Sequence, residues 1–230
     1  MKNLTIAERI KAKAARERGK KFRDDGEYEK AIKKFSEAIN IDPSNAFAYG
    51  GRGYTYALNG QDDLAIEDYT KSIKLLENDI AWLYERRGLC YECKDQYDLA
   101  IESYNEAVRI APNEPLNYFS RGCAYEQKGQ YELAIENYTE LIINNRDTFP
   151  KAFPCQLRAY AYSNNGQYEL AINDYSEAIK LEPNNADIYA WRGSVYIKLG
   201  DKEAAKKDFD KAFSLDPENE FAKEFSKKLN

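Results

Sequence analysis

Histidine is missing altogether from the sequence, and with it goes the side chain best suited to general acid–base work near neutral pH. Its absence also removes the mixed Cys/His ligand sets that hold most zinc ions. No Ser-x-x-Lys or Gly-x-Ser-x-Gly stands in a suitable turn, and no glycine-rich phosphate loop occurs. A chain of this kind is expected to be no enzyme and to need no cofactor. Nothing approaches the roughly 20 uninterrupted apolar residues of a membrane span. The N-terminal stretch MKNLTIAERIKAKAARERGKKF has no apolar core of a secretory signal, and Glu8 and Glu17 weigh against a transit peptide. A cytoplasmic location is therefore expected. Seven prolines and twelve glycines are too few for a low-complexity linker.

Cysteine is scarce too. Cys90 and Cys93 form a C-x-x-C, but inside a helical pattern rather than at a strand-to-helix turn, which argues against redox chemistry. With Cys123 and Cys155 elsewhere in the chain, the four are expected to be reduced packing thiols.

What the sequence does have is charge: 32% of its 230 residues, with a net of -5. A net negative chain does not favour nucleic acid as a main partner. The sign is uneven, however. Residues 1–34 hold 12 Lys/Arg against 6 Asp/Glu, so the remainder carries -11.

It also has a period. A small residue follows a recurring arginine at Gly19, Gly53, Gly88, Gly122, Ala159 and Gly193, at intervals of 34, 35, 34, 37 and 34. A second alanine recurs at Ala31, Ala65, Ala100, Ala134, Ala171 and Ala205. An aromatic stands four residues beyond each: Phe35, Tyr69, Tyr104, Tyr138, Tyr175 and Phe209. Pro43, Pro112, Pro183 and Pro217 close four of the units. Within each unit the apolar and small residues recur at i, i+4 and i+7, the spacing of one helix stripe. A Gly-containing break separates two such stripes, and nothing alternates with the period of a strand. Neither helix could bury its stripe alone, so neighbouring units must stack.

A 34-residue helix-turn-helix unit with Gly and Tyr in its first helix, Ala and an aromatic in its second, and Pro at its end resembles the tetratricopeptide repeat. The resemblance covers residues 12 to 217 and is specific for fold rather than function, because the shared motif is a packing motif. It implies an all-α, right-handed superhelical α-solenoid of six repeats, at about 12–45, 46–80, 81–114, 115–151, 152–185 and 186–218. The departures are one extra residue before the third repeat and three before the fifth, around NNRDTFPKAFP. Phe221, Phe225 and Leu229 lie on one stripe of 219–229, which reads as a capping helix. A single domain over 1–230 is expected.

The recurring arginines are Arg18, Arg52, Arg87, Arg121, Arg158 and Arg192. Sixteen residues after five of them come Asp68, Ser103, Asn137, Asp174 and Asp208; only Arg18 meets Lys34. A constant offset to an acidic or polar residue predicts an internal helix–helix pair rather than a phosphate track.

Numbering each repeat so that the recurring Gly/Ala is position 8, positions 4, 8 and 11 share the buried face. Positions 2, 5, 9 and 12 fall opposite. In tetratricopeptide proteins that side lines a concave groove, which is what the resemblance implies here. Position 2 reads Lys13, Phe47, Trp82, Leu116, Phe153 and Asp187. Position 5 reads Arg16, Gly50, Glu85, Phe119, Gln156 and Ala190; position 9 reads Lys20, Tyr54, Leu89, Cys123, Tyr160 and Ser194. The candidate peptide-binding set is Arg16, Lys20, Phe47, Tyr54, Trp82, Arg86, Leu116, Phe119, Phe153, Tyr160 and Trp191. It is basic at the first repeat, where Lys13 and Arg23 join it. The family's carboxylate-clamp pattern is matched only in part: Arg16, Lys20, Gly51, Trp82 and Arg86 occupy its places, without its asparagines. A protein or peptide partner is expected, with an adaptor or scaffold role. A chaperone for an aggregation-prone client, RNA binding through the first repeat, and self-association through the groove are the alternatives, and the oligomeric state stays open.

Overall fold

A computed structural model describes residues 4–76, 80–145 and 147–229. The expected end of the second repeat at 77–79, and residue 146 of the insertion, lie outside the described residues. Among those residues are thirteen α-helices and no strand. They are α1 (Ile6–Asp24), α2 (Tyr28–Ile41), α3 (Ala46–Leu58), α4 (Asp62–Leu75), α5 (Ala81–Glu92), α6 (Tyr97–Ile110), α7 (Pro115–Gln127), α8 (Tyr131–Asn144), α9 (Ala152–Asn164), α10 (Tyr168–Leu181), α11 (Ala186–Leu199), α12 (Lys202–Leu215) and α13 (Glu220–Ser226). A 3-10 turn, Lys227–Leu229, follows. The chain divides into two compact units, Met1–Pro112 with three helix pairs and Asn113–Asn230 with three pairs and α13. None of the described helices is long and apolar enough to cross a membrane.

Local chemistry sets the ends. α1 starts six residues before the repeat phase predicts, because Thr5 and Glu8 form a capping box: the Glu8 amide donates to Thr5 Oγ1 at 3.2 Å, and the Thr5 amide to the Glu8 carboxylate at 2.8 Å. The turn inside each pair needs a left-handed residue, supplied for example by Gly60 (φ 70°) and Gly129 (φ 69°). The third repeat uses Asp95 instead (φ 56°), whose carboxylate accepts from Tyr97 at 2.8 Å.

Each pair is locked by an aromatic ring of the second helix pressed on the small residue of the first. A Cβ added at Gly88 would stand 2.5 Å from the Tyr104 ring, and one at Gly122 only 2.6 Å from Tyr138. Both tyrosines are wholly buried, so each hydroxyl needs a partner. Tyr104 donates to Glu92 at 2.8 Å and Tyr138 to Glu126 at 3.1 Å, each acceptor twelve residues earlier. Burial holds the Glu126 carboxyl above its ordinary range, and the Tyr138 hydrogen bond only partly offsets this. The residue twelve before Tyr69 is Ala57, and the buried Tyr69 hydroxyl finds no hydrogen-bond partner among the described residues. Tyr69→Phe is therefore expected to leave stability unchanged or raise it by up to about 1 kcal/mol, while Tyr104→Phe loses stability. Urea unfolding of the two variants would show it, and a loss at Tyr69 larger than at Tyr104 would refute the assignment.

The arginine offset predicts the ion pairs the structure contains. Arg52, Arg158 and Arg192 each grip the aspartate sixteen residues on with two nitrogens, at 2.7 to 2.9 Å for Asp68, Asp174 and Asp208. Arg87 donates to Ser103 at 3.2 Å and Arg121 to Asn137 at 2.7 Å. Arg18 is exposed, and Lys34 pairs with Glu37. A further bond was not legible from the offset. The remaining Nη1 donates to the second helix of the preceding repeat, from Arg52 to Ser36 at 2.9 Å, Arg158 to Thr139 at 3.1 Å and Arg192 to Ser176 at 2.8 Å. One guanidinium thus ties three helices.

The thiols depart from expectation at one position. Cys90 is buried and Cys123 and Cys155 are half-buried, but Cys93 is exposed. Burial pushes the Cys90 thiol up to about 12, with the Asp62 carboxylate adding to it, and Cys93 shifts upward for the same reasons. A thiol held protonated is a poor nucleophile.

Candidate functional site

Three first helices of the first unit build an open cleft of about 320 Å³. α1 supplies Arg16, Glu17, Lys20 and Arg23, α3 supplies Phe47 and Gly51, α5 supplies Trp82, and Phe35 of α2 forms part of the lining. Phe47 is 56% exposed and Trp82 is 42% exposed, a large apolar area for a wall that is not needed to close the core. Trp82 is not wholly free: its ring lies 3.0 Å from where a Cβ on Gly50 would stand. The missing side chain at Gly50 lets the indole rest on the preceding repeat while its outer face stays open.

The cations are held beside the rings. The Arg16 guanidinium lies 5.7 Å from the Phe47 centroid, and Arg23 and Arg86 lie 5.1 and 5.2 Å from that of Tyr54. Local carboxylates partly balance them: Arg16 bonds Glu17 at 2.8 Å, Arg23 bonds Asp24 at 2.7 Å, and Arg86 meets Glu85 at 3.2 Å. The Arg16 hydrogen bond holds the Glu17 carboxyl below its ordinary range. Lys20 is exposed and faces the cleft. The structure therefore brings together Arg16, Lys20, Phe47, Tyr54, Trp82 and Arg86 within the first unit.

Position 5 needs a correction. Gly50, Glu85 and Ala190, expected on the open side, are buried. The reason is the number of neighbours. α3 packs on its own partner α4, on α2 before it, and on α1 and α5 alongside. A helix with that many neighbours buries more than one stripe, so position 5 is largely closed while positions 2 and 9, most of position 12, and Gly51, Arg86 and Trp191 beside them keep some exposure.

In the second unit Phe119 and Phe153 are half-buried rather than displayed. They form a ring triangle with Phe149, at centroid distances of 5.2, 5.8 and 5.7 Å. Phe149 comes from the three-residue insertion, and Asn145 holds it by accepting from its amide at 2.9 Å and donating to its carbonyl at 3.1 Å. Leu116 on α7 is half-buried. Tyr160, 50% exposed, and Trp191 line a separate cleft of about 310 Å³ with Phe221 and Phe225. The phenylalanines of the expected cap thus reach a cleft the sequence reading did not assign to them. The only signal was Trp191 near the same end of the chain.

A family model described as "TPR repeat" matches residues 19–60, 93–129 and 159–200, and one described as "Tetratricopeptide repeat" matches 48–79, 117–146 and 186–219. The chain belongs to the tetratricopeptide-repeat family. Among solved structures it is similar to the C-terminal part of a TPR repeat-containing protein from Cytophaga hutchinsonii, at 22% identity and a TM-score of 0.75, over 86% of this chain and 78% of that one. It is also similar to YrrB, described as a TPR protein with an unusual peptide-binding site, at 19% identity and a TM-score of 0.56, over 93% and 90% of the two chains. A chain of the APC/C hetero-tetramer Cut9–Hcn1 aligns at 20% identity and a TM-score of 0.62 over 95% of this chain, which spans 42% of that one. At such identities the likeness is one of fold.

Proposed function

We propose that the chain is a non-catalytic adaptor that holds a segment of a protein partner in the cleft of its first three repeats. The segment carries a large apolar side chain for the Phe47–Trp82 wall and acidic residues for Arg16, Lys20 and Arg23. What carries the reading is the pairing of two half-exposed rings with three cations in one open cleft. Aromatic and arginine anchors are the residues that most often dominate binding energy. The family supports a protein-interaction role in general, and the YrrB likeness adds a peptide-binding relative of the same fold. No cofactor is called for.

The test is an array of acidic peptides with and without one large apolar residue, probed with the wild type and with Phe47→Ala/Trp82→Ala. Both rings are half outside the core, so helicity should hold, while loss of the indole's contact over Gly50 should lower the melting temperature modestly. Affinity for the preferred peptides should fall roughly 30-fold or more, the loss of a hot-spot anchor of about 2 kcal/mol. Equal retention by the variant would sink the reading. Indifferent capture of many unfolded sequences would favour a chaperone. Binding to RNA that collapses steeply with salt would favour nucleic acid.

A further inference from the structure

We propose that the cleft beneath the C-terminal cap is a second recognition site, taking a partner segment in which a large apolar side chain is flanked by a carboxylate. It lies wholly in the second unit and does not depend on the reading of the first.

The cap is built in an unexpected way. A helix serving only as a lid would bury its large rings, yet the fully buried residue of α13 is Ala222. Phe221 is 40% exposed. It stands edge-on to Trp191 at 5.5 Å, and Phe225 stacks on it at 6.3 Å. Trp191 in turn meets Tyr175 at 6.4 Å. These four rings form a connected row, and Tyr160 lines the same cleft. A volume of about 310 Å³ is at the small end for ligand sites, suited to one large side chain rather than a bulky cofactor.

Among the described residues the charged groups lining the cleft are two lysines, Lys198 and Lys228, with no carboxylate beside them. Neither lysine forms an ion pair among the described residues. Lys198 donates to Ser163 at 2.9 Å, and the Lys228 ammonium lies 5.5 Å from the Phe225 ring centroid. Lys202 helps hold the turn that carries Lys228 by donating to the Leu229 carbonyl at 2.9 Å. Burial, and then the nearby Lys228, hold Lys198 below its ordinary range. Two like charges beside a hydrophobic slot, neither in an ion pair among the described residues, offer a ligand carboxylate charge-assisted hydrogen bonds and would be relieved of their mutual repulsion by it.

The chain has two tryptophans, Trp82 and Trp191, so Trp82→Phe makes Trp191 the sole emission reporter. The probes are acetyl-Asp-Glu-Phe-Glu-Asp amide, the same peptide with Asn and Gln for its acids, and the same peptide with Ala for Phe. The acidic Phe peptide should give a saturable change in Trp191 emission. Affinity should fall about tenfold or more for either control peptide, and likewise in Lys198→Gln/Lys228→Gln, which leaves the core untouched. Equal response to all three peptides, no saturable change, or no effect of the lysine substitutions would overturn the proposal. So would a response to oligo(dT) in place of the peptide, or a signal that follows protein concentration and self-association in sedimentation. Since Trp82 is silent in this background, binding at the first cleft cannot imitate the result.

Discussion

Asp208→Ala is expected to cost about 3 kcal/mol, the lower part of the range for removing one partner of a buried ion pair. Asp208 is 5% exposed and receives two bonds from Arg192, at 2.8 and 2.7 Å. Without the carboxylate, two guanidinium donors face a nearly dry contact. The Arg192 side chain keeps 19% of its surface in solvent, which is why the upper part of the range is not reached. The Asp208 bond outweighs the opposing effect of burial and raises Arg192 above its ordinary value. Asp208→Asn should cost only about 1 kcal/mol, because it keeps an acceptor. The fourth repeat already uses that pairing, Arg121 donating to Asn137 at 2.7 Å. Arg192→Met combined with Asp208→Leu should recover most of the loss, since no charge is then left unpaired. Urea unfolding gives the energies, and hydrogen exchange should place the opening in α11 and α12 before distant repeats. An Asp208→Ala variant within 1 kcal/mol of the wild type would show the fork to be dispensable.

Tyr138→Ala is expected to cost about 3 to 5 kcal/mol, the range for emptying an aromatic site in a core. The ring is wholly buried and rests where a Gly122 Cβ would be. Its loss opens a cavity and also takes the hydrogen bond to Glu126. The converse change, Gly122→Ala, overpacks the same contact and should cost about 1 to 3 kcal/mol. The chain itself supplies a guide to where in that range it falls. The fifth repeat has Ala159 at this position, with Tyr175 still 3% exposed. One methyl can therefore be absorbed by a small displacement, so the alanine variant belongs at the lower end. Gly122→Val has no such precedent and should reach the upper end. A double-mutant cycle of Gly122→Ala with Tyr138→Leu should show strong coupling, because both changes act on one contact. Additive effects there would mean that the ring and the glycine do not bear on each other.

Within each unit the helix pairs were legible because every packing residue that defines them recurs at a short, constant separation. Arg158 and Asp174 could be matched by counting, since both ends of the pair lie inside one repeat. The bond from Arg158 to Thr139 could not, because its partner belongs to the preceding repeat and hydroxyls are common on exposed helix faces. Phe47 and Trp82 were visible as apolar residues at positions that the helix pair alone leaves open. Gly50, Glu85 and Ala190 were misplaced for the complementary reason: a single helical wheel shows one buried stripe, and the neighbouring first helices create the others.

By itself the sequence determined the helical repeat, its length, the recurring small and aromatic positions and the paired charges, because those features are local and periodic. Only the tertiary structure decided which rings reach an open cleft. Phe149 turned inward from an insertion, and Phe221 turned from the lid toward Trp191. Both outcomes depend on what several helices leave unfilled, and no spacing along one chain segment encodes the shape of that remaining space.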